Sequence, residues 1–251
     1  MTGRVSLIAH RGEPMNFPEN SLSGFEHALK HGARYVECDV QITADGVPIL
    51  SHDANLLKLT GKQIIIADHD WSELRDMPAG YAERFGDRFE NERIATLEQF
   101  VELMSAQDHV LSFIELKESS IDYWGMKAVQ LVMERLQPIA GDCALISFSD
   151  DALAHARKHY DVPIGWVLPE WLERNRELAQ ELAPEYLFVD TEFCPDDPSA
   201  LFEGVWEWVA YTVNTPQEVA HYAGLGIELI ETDRFSELSK ESDIIDVSHD
   251  F

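Results

Sequence analysis

Short runs of apolar residues recur along the chain at 5–9, 35–40, 47–50, 110–116, 144–148, 164–168, 186–189, 208–213 and 227–230. They are rich in Val, Ile, Leu and aromatic side chains, and runs of this length predict buried strands. Between most of them the apolar positions follow a helical period, and the helix ends are signalled. Asn20 and Ser21 precede Leu22, Phe25 and Leu29, and Gly32 closes that stretch. Thr96-Leu-Glu-Gln99 and Thr215-Pro-Gln-Glu218 have capping-box spacing, the second with proline at the first helical position. Ser149 opens another helix ahead of Leu153 and Ala156. Strands alternating with single helices predict parallel β-α-β units. About eight such units in 251 residues predict an α/β fold of the closed (β/α)8 TIM-type barrel kind, with an open doubly wound sheet as the alternative.

Two stretches break the rhythm. From Val40 to Val47 there is no room for a helix, and Thr43-Ala-Asp-Gly46 is turn chemistry, so this link is a hairpin or an irregular corner. One of the nine candidate strands must then lie outside the barrel, and the pattern does not say which. From Asp53 to Arg93, a segment containing Trp71, Pro78, Gly80 and Gly86 replaces the expected helix and reads as a loop-rich insertion, placed where barrels build substrate lids. Trp71, Tyr81, Phe85 and Phe89 are expected to form a small core within it. Residues 1–251 read as one barrel domain, and the Ser-, Asp- and Glu-rich tail after Phe235 as surface.

Composition narrows the possible partners. Asp and Glu number 46 against 19 Lys and Arg, a formal charge of -27, which repels polyanions and excludes nucleic acid as a partner. Cys38, Cys143 and Cys194 are odd in number and far apart, which suits a reducing compartment. The first residues show no apolar stretch of signal-peptide length, and no run approaches a membrane span, so the expected location is cytoplasmic.

The ionisable residues of interest fall at the C-terminal ends of the first four strands: His10-Arg11, Glu37-Cys-Asp39, His52-Asp53 and Glu115-Leu-Lys117. A barrel keeps its active site at that end. Glu37 and Asp39 share one strand face because side chains alternate with a period of two, and paired buried carboxylates repel unless a cation joins them. With Glu115 they make an oxygen-only set without thiolate, which favours one divalent cation, Mg²⁺ or Ca²⁺, over zinc. His31, His155, His159 and the Asp68-His-Asp70 stretch read as exposed polar positions.

The ordered set His10-Arg-Gly12, Pro18-Glu-Asn20, Glu37-Cys-Asp39, Thr43-Ala-Asp-Gly46, His52-Asp53, Leu59-Thr-Gly61, Thr96-Leu-Glu98, Glu115-Leu-Lys117, Ser147-Phe148 and Thr232-Asp233 resembles the glycerophosphodiester phosphodiesterase family over nearly the whole chain. The resemblance implies a phospholipase-C-like barrel with an insertion after the third strand. It also implies metal ligation by Glu37, Asp39 and Glu115 and a catalytic histidine pair, His10 and His52. Arg11 is implied to grip phosphate, Lys117 to lie beside the phosphoryl oxygens, and Glu19 to support the ligands. The implied reaction is hydrolysis of a small glycerophosphodiester to glycerol 3-phosphate and an alcohol, with the substrate's 2-hydroxyl as nucleophile and a cyclic phosphate intermediate.

One position departs from the family pattern. Where a Trp-Thr-Val-Asn stretch is usual, this chain has Tyr211-Thr-Val-Asn214, so Tyr211 is either a smaller aromatic wall to the substrate or a core residue. Phe148 and Trp166 carry the same two readings. Competing functions are a lysophospholipase D, which needs an apolar groove for an acyl chain, and a barrel that binds phosphodiesters without cleaving them. A metal-dependent amidohydrolase is disfavoured because the first strand ends in His10-Arg11 and not His-x-His.

Overall fold

A computed structural model gives the fold of residues 5–241; residues 1–4 and 242–251 lie outside the described residues, and the stretch just after Phe235, expected at the surface, instead forms a short helix, Phe235–Leu238, that buries Ser236 and Leu238. Nine strands form one sheet: β1 (Ser6–His10), β2 (Tyr35–Ile42), β3 (Pro48–Leu50), β4 (Leu111–Leu116), β5 (Cys143–Ser147), β6 (Ile164–Val167), β7 (Tyr186–Asp190), β8 (Glu207–Tyr211) and β9 (Leu229–Thr232). The order is β1-β9-β8-β7-β6-β5-β4-β2-β3, and β1 also pairs with β2, so eight parallel strands close into a barrel. The predicted (β/α)8 fold is the fold observed.

The strand outside the barrel is β3. Pairing of β1 with β2 stops at His10↔Glu37, while β2 runs on to Ile42. The turn through Gly46 (φ 83°) folds β3 back antiparallel on that overhang, with Val40 opposite Leu50. The backbone N–H of Ser51 then donates to the Asp39 carbonyl at 3.1 Å. His52 therefore reaches the barrel mouth from a returning hairpin. This corrects the expectation that four successive barrel strands deliver the ionisable groups: β1, β2 and β4 do, and the fourth contribution comes from outside the barrel.

The insertion consists of four-residue helices and 3-10 turns around its own apolar cluster of Ile49, Leu56, Leu59, Ile66, Leu74, Ala79 and Ile94. Trp71 and Tyr81 pack against this cluster as expected. Phe85 joins them edge-on to Tyr81, ring centroids 5.9 Å apart, and pairs with Phe89 at 5.3 Å, while Phe89 also meets Phe17 of the loop after β1. Most connections carry the predicted helices, with Ser21, Thr96, Ser149 and Thr215 as side-chain N-caps. The link from β7 to β8 has only a 3-10 turn at Pro198–Ala200, and Phe202 with Trp171 and Trp208 covers the sheet there.

The last strand begins two residues later than its apolar run suggests. Ile227 N–H closes the preceding helix on the Tyr222 carbonyl at 3.1 Å, with Gly226 at φ 86°, so Ile227 serves the helix end and β9 extends to Thr232.

Candidate active site

One rule builds the barrel mouth. Ile8, Tyr35, Phe113, Ile146, Val209 and Leu229 belong to an apolar plug inside the barrel. Because side chains alternate, the residue two positions further along each chain points into the space above that plug. Those residues are His10, Glu37, Glu115, Phe148, Tyr211 and Glu231; all but Glu37 line one cavity with Arg11, His52 and Lys117. Cys38 falls on the opposite face, in the apolar layer between sheet and helices.

Glu37, Asp39 and Glu115 each present a carboxylate oxygen within 4.8 Å of the others, and all three are buried. Burial and then the charge of Asp39 push the Glu37 carboxyl well above the usual carboxylate range. Burial also raises Glu115, against the pull of Lys117. Asp39 is held below the usual range in spite of its burial, because Arg11 and Lys117 face it. Lys117 Nζ lies 2.7 Å from Glu115 Oε1 and 3.3 Å from Asp39 Oδ1. Arg11 Nε sits 3.0 Å from Asp39 Oδ2 as a charge contact, with its N–H not aimed along that line. Glu37 Oε1 is buried and has no hydrogen-bond partner. An oxygen-only triad with an orphaned, buried oxygen fits a hard divalent cation.

The two histidines are oriented differently. His10 is buried, with Nδ1 2.7 Å from Asp233 Oδ1 and Nε2 3.9 Å from Glu37 Oε2. Burial, followed by the charge of Arg11, lowers its pKa from the ordinary value of 6.5, so near neutral pH the ring is uncharged. Asp233 is held below the usual range against its burial by the hydrogen bond to His10, and as a carboxylate it accepts from Nδ1–H. The lone pair of His10 is then on Nε2, facing the carboxylates. His52 is partly exposed and bonds through Nδ1 to Asp53 Oδ1 at 2.8 Å.

The other predicted residues divide between the mouth and the core. Glu19 lies 3.7 Å from Arg11 Nη1 and bonds Lys58 of the insertion. Phe148 lines the cavity, its ring centroid 5.9 Å from Lys117 Nζ, and Tyr211 lines it as well. Trp166 does not; it is buried in the outer apolar layer and donates to the Phe148 carbonyl at 3.1 Å. His155 and His159 lie on the helix Asp150–His159, away from the mouth.

Sequence reasoning gave no role to Asn20, Lys58, Glu231 or Asp233. Asn20 Nδ2 donates to Asp39 Oδ2 at 2.8 Å, and its Oδ1 accepts from Asp39 N–H at 3.1 Å, which fixes the plane of that carboxylate. Asn214 steadies Asp233 through a 3.1 Å bond to Oδ2. Alternation extended one residue past the predicted end of the last strand would have pointed Glu231 inward. Nothing local in the sequence marks Lys58.

Fold and site together define a TIM-type barrel whose mouth pairs an acidic set that could hold a metal with cations suited to an anionic substrate. A family model described as the glycerophosphoryl diester phosphodiesterase family matches residues 10–237, and the chain belongs to that family and so to the phosphoric diester hydrolases. A glycerophosphodiester phosphodiesterase of Caldanaerobacter subterraneus subsp. tengcongensis is 28% identical over 240 residues, covering 92% of this chain and 94% of that one. A phosphodiesterase of Oleispira antarctica, solved with the product sn-glycerol-3-phosphate, superposes with a TM-score of 0.83 at 22% identity, covering 95% and 98% of the two chains. A structure from Silicibacter pomeroyi, described as a glycerophosphoryl diester phosphodiesterase, gives 0.83 at 21% identity, covering 99% and 97%.

Proposed function

We propose that the protein hydrolyses small glycerophosphodiesters to glycerol 3-phosphate and an alcohol with the help of one divalent cation. The observation that carries this reading is the buried triad Glu37, Asp39 and Glu115, flanked by Arg11 and Lys117 at the mouth of the barrel. Glu37, Asp39 and Glu115 would hold Mg²⁺ or Ca²⁺, which when bound supplies Lewis-acid stabilisation of charge on the phosphoryl group. Arg11 and Lys117 add fixed positive charge for the phosphate in a molecule that otherwise repels anions.

His10 acts as the base. Its neutral ring and the lone pair on Nε2 suit removal of the proton from the substrate's 2-hydroxyl, whose oxygen attacks phosphorus to form a cyclic phosphate. His52, more exposed, gives a proton to the departing alkoxide as the phosphorus–oxygen bond breaks. Water then opens the cyclic diester, with the two rings exchanging roles. The odd number and wide spacing of the three cysteines support a reducing, cytoplasmic setting.

The decisive assay measures glycerol 3-phosphate released from glycerophosphocholine and glycerophosphoethanolamine with Mg²⁺, Ca²⁺ or chelator. Release should require the cation and be abolished in Glu37→Ala. A folded protein that releases nothing from any such diester with either metal would instead be a binding barrel.

A further inference from the structure

Glu231 is 3% exposed, points into the cavity from β9, and its Oε1 has no hydrogen-bond partner. Buried polar atoms are nearly always paired, so an unpaired acceptor on a residue that lines a site calls for a ligand. The contrast with Glu13 is instructive. Glu13 is fully buried too, but its carboxylate accepts from Ser236 Oγ, Asn16 Nδ2 and His27 Nδ1, and so pins the loop after β1. Glu231 Oε1 has no such anchoring contact.

Chemistry narrows what it binds. The phosphate is drawn to Arg11 and Lys117 beside the carboxylate triad, and Glu231 has no positive charge to offer it. Glu231 therefore addresses a neutral donor elsewhere on the substrate. The variable alcohol has to leave through the open mouth, so we place the constant glycerol on the enclosed side, above the apolar plug that includes Leu229. Strand β9 lies beside β1, with Glu231 in register with Ile8, two residues before His10. In that placement, with the glycerol 2-hydroxyl at His10, the free terminal hydroxyl is assigned to the β9 side, where Glu231 stands. Charged or protonated, a carboxyl group keeps an oxygen that accepts from it.

Resting on the proposed diesterase reading, we propose that Glu231 binds the free terminal hydroxyl of the substrate's glycerol and thereby selects fully deacylated diesters over 1-acyl lysophospholipids. An ester at that carbon offers no donor and leaves the buried acceptor unpaired. Sites built to bond a substrate hydroxyl discriminate strongly against analogues lacking it.

The test compares glycerophosphocholine with the phosphocholine diester of 1,2-propanediol, which keeps the attacking hydroxyl, lacks the terminal one and is no larger. Wild-type kcat/KM should favour the glycerol compound by at least about 100-fold. Glu231→Leu should reduce that preference to within about fivefold, and Glu231→Gln, which keeps an acceptor, should retain an intermediate preference. A structural role would lower the melting temperature of both variants and leave the preference intact, which would overturn the proposal. Equal wild-type turnover of the two diesters would also overturn it, whatever the variants do. Should Glu231→Leu not fold, wild-type binding of glycerol 3-phosphate against 1,2-propanediol 1-phosphate decides, with a preference below about threefold counting against the proposal. Absence of turnover of any glycerophosphodiester by wild type is a different result, and it removes the diesterase reading itself.

Discussion

Asp233 settles which nitrogen of His10 holds the proton, because a carboxylate 2.7 Å from Nδ1 accepts and cannot donate. Asp233→Asn breaks that arrangement while preserving shape; kcat should drop by about ten- to a hundredfold with little change in melting temperature, as loss of an orienting partner usually does. Removing the ring itself costs more. His10→Ala and His52→Ala should each lower kcat by about two to four decades, the scale of acid–base catalysis, with circular dichroism unchanged. Each comparison is a steady-state assay on folded protein, and a variant near the wild-type rate would take that side chain out of the mechanism. Much of this scale was legible in the chain. His10, Arg11, Glu37, Asp39, Glu115 and Lys117 were picked out by residue type and spacing, and the structure brings all six to one mouth. Asp233 and Asn20 stood in the motifs but acquire partners only across 223 and 19 residues of chain, separations that spacing does not encode.

At the level of elements, the loop after β1 shows how backbone geometry serves the site. Gly12 has φ 82°, and a Cβ there would stand 2.9 Å from the Gly24 carbonyl carbon and 3.0 Å from Phe25 N, at the helix Leu22–Lys30. Gly12→Ala should destabilise the protein by about 1–3 kcal/mol in denaturant titration, from strain and the displaced helix together. Activity should fall as well, since the neighbouring Arg11 N–H donates to Glu37 Oε2 at 3.1 Å. A second tie joins the helix Asp150–His159 to β6. Glu185 accepts from Arg157 and from Ile164 N–H, and these bonds hold its carboxyl below the ordinary 4.5 despite partial burial. A depressed folded value stabilises the protein above about pH 4.5 and loses that stabilisation as pH falls through it. Both side chains are about two-fifths exposed, so the contribution is under about 1 kcal/mol. Glu185→Gln should accordingly show a slightly shallower fall in melting temperature below pH 4.5. The hairpin of β2 and β3 was visible as a place where no helix fits, but its strand of exit was not. Three apolar residues, Pro48–Leu50, look the same in a barrel and on an overhang.

On the scale of the whole molecule, closure and charge act together. Pairing of β1 with both β2 and β9 leaves the barrel no free edge, and we read the described chain as one unit whose near- and far-ultraviolet signals should melt together. A formal charge of -27 should slow anionic substrates at low salt. Raising ionic strength should increase kcat/KM several-fold for glycerophosphoglycerol, which is net anionic, and leave zwitterionic glycerophosphocholine nearly unchanged. Most element types, the barrel class and the shared face of Glu37 and Asp39 follow from the sequence alone, because periodicity and capping are local and the alternation of side chains carries over to faces. Tertiary structure alone decided that β3 lies outside, that β9 begins at Leu229, and that Asp233, Asn20, Lys58 and Glu231 join the mouth. Those outcomes depend on which strand ends first and which helix end claims a residue, competitions between distant segments that no local pattern records.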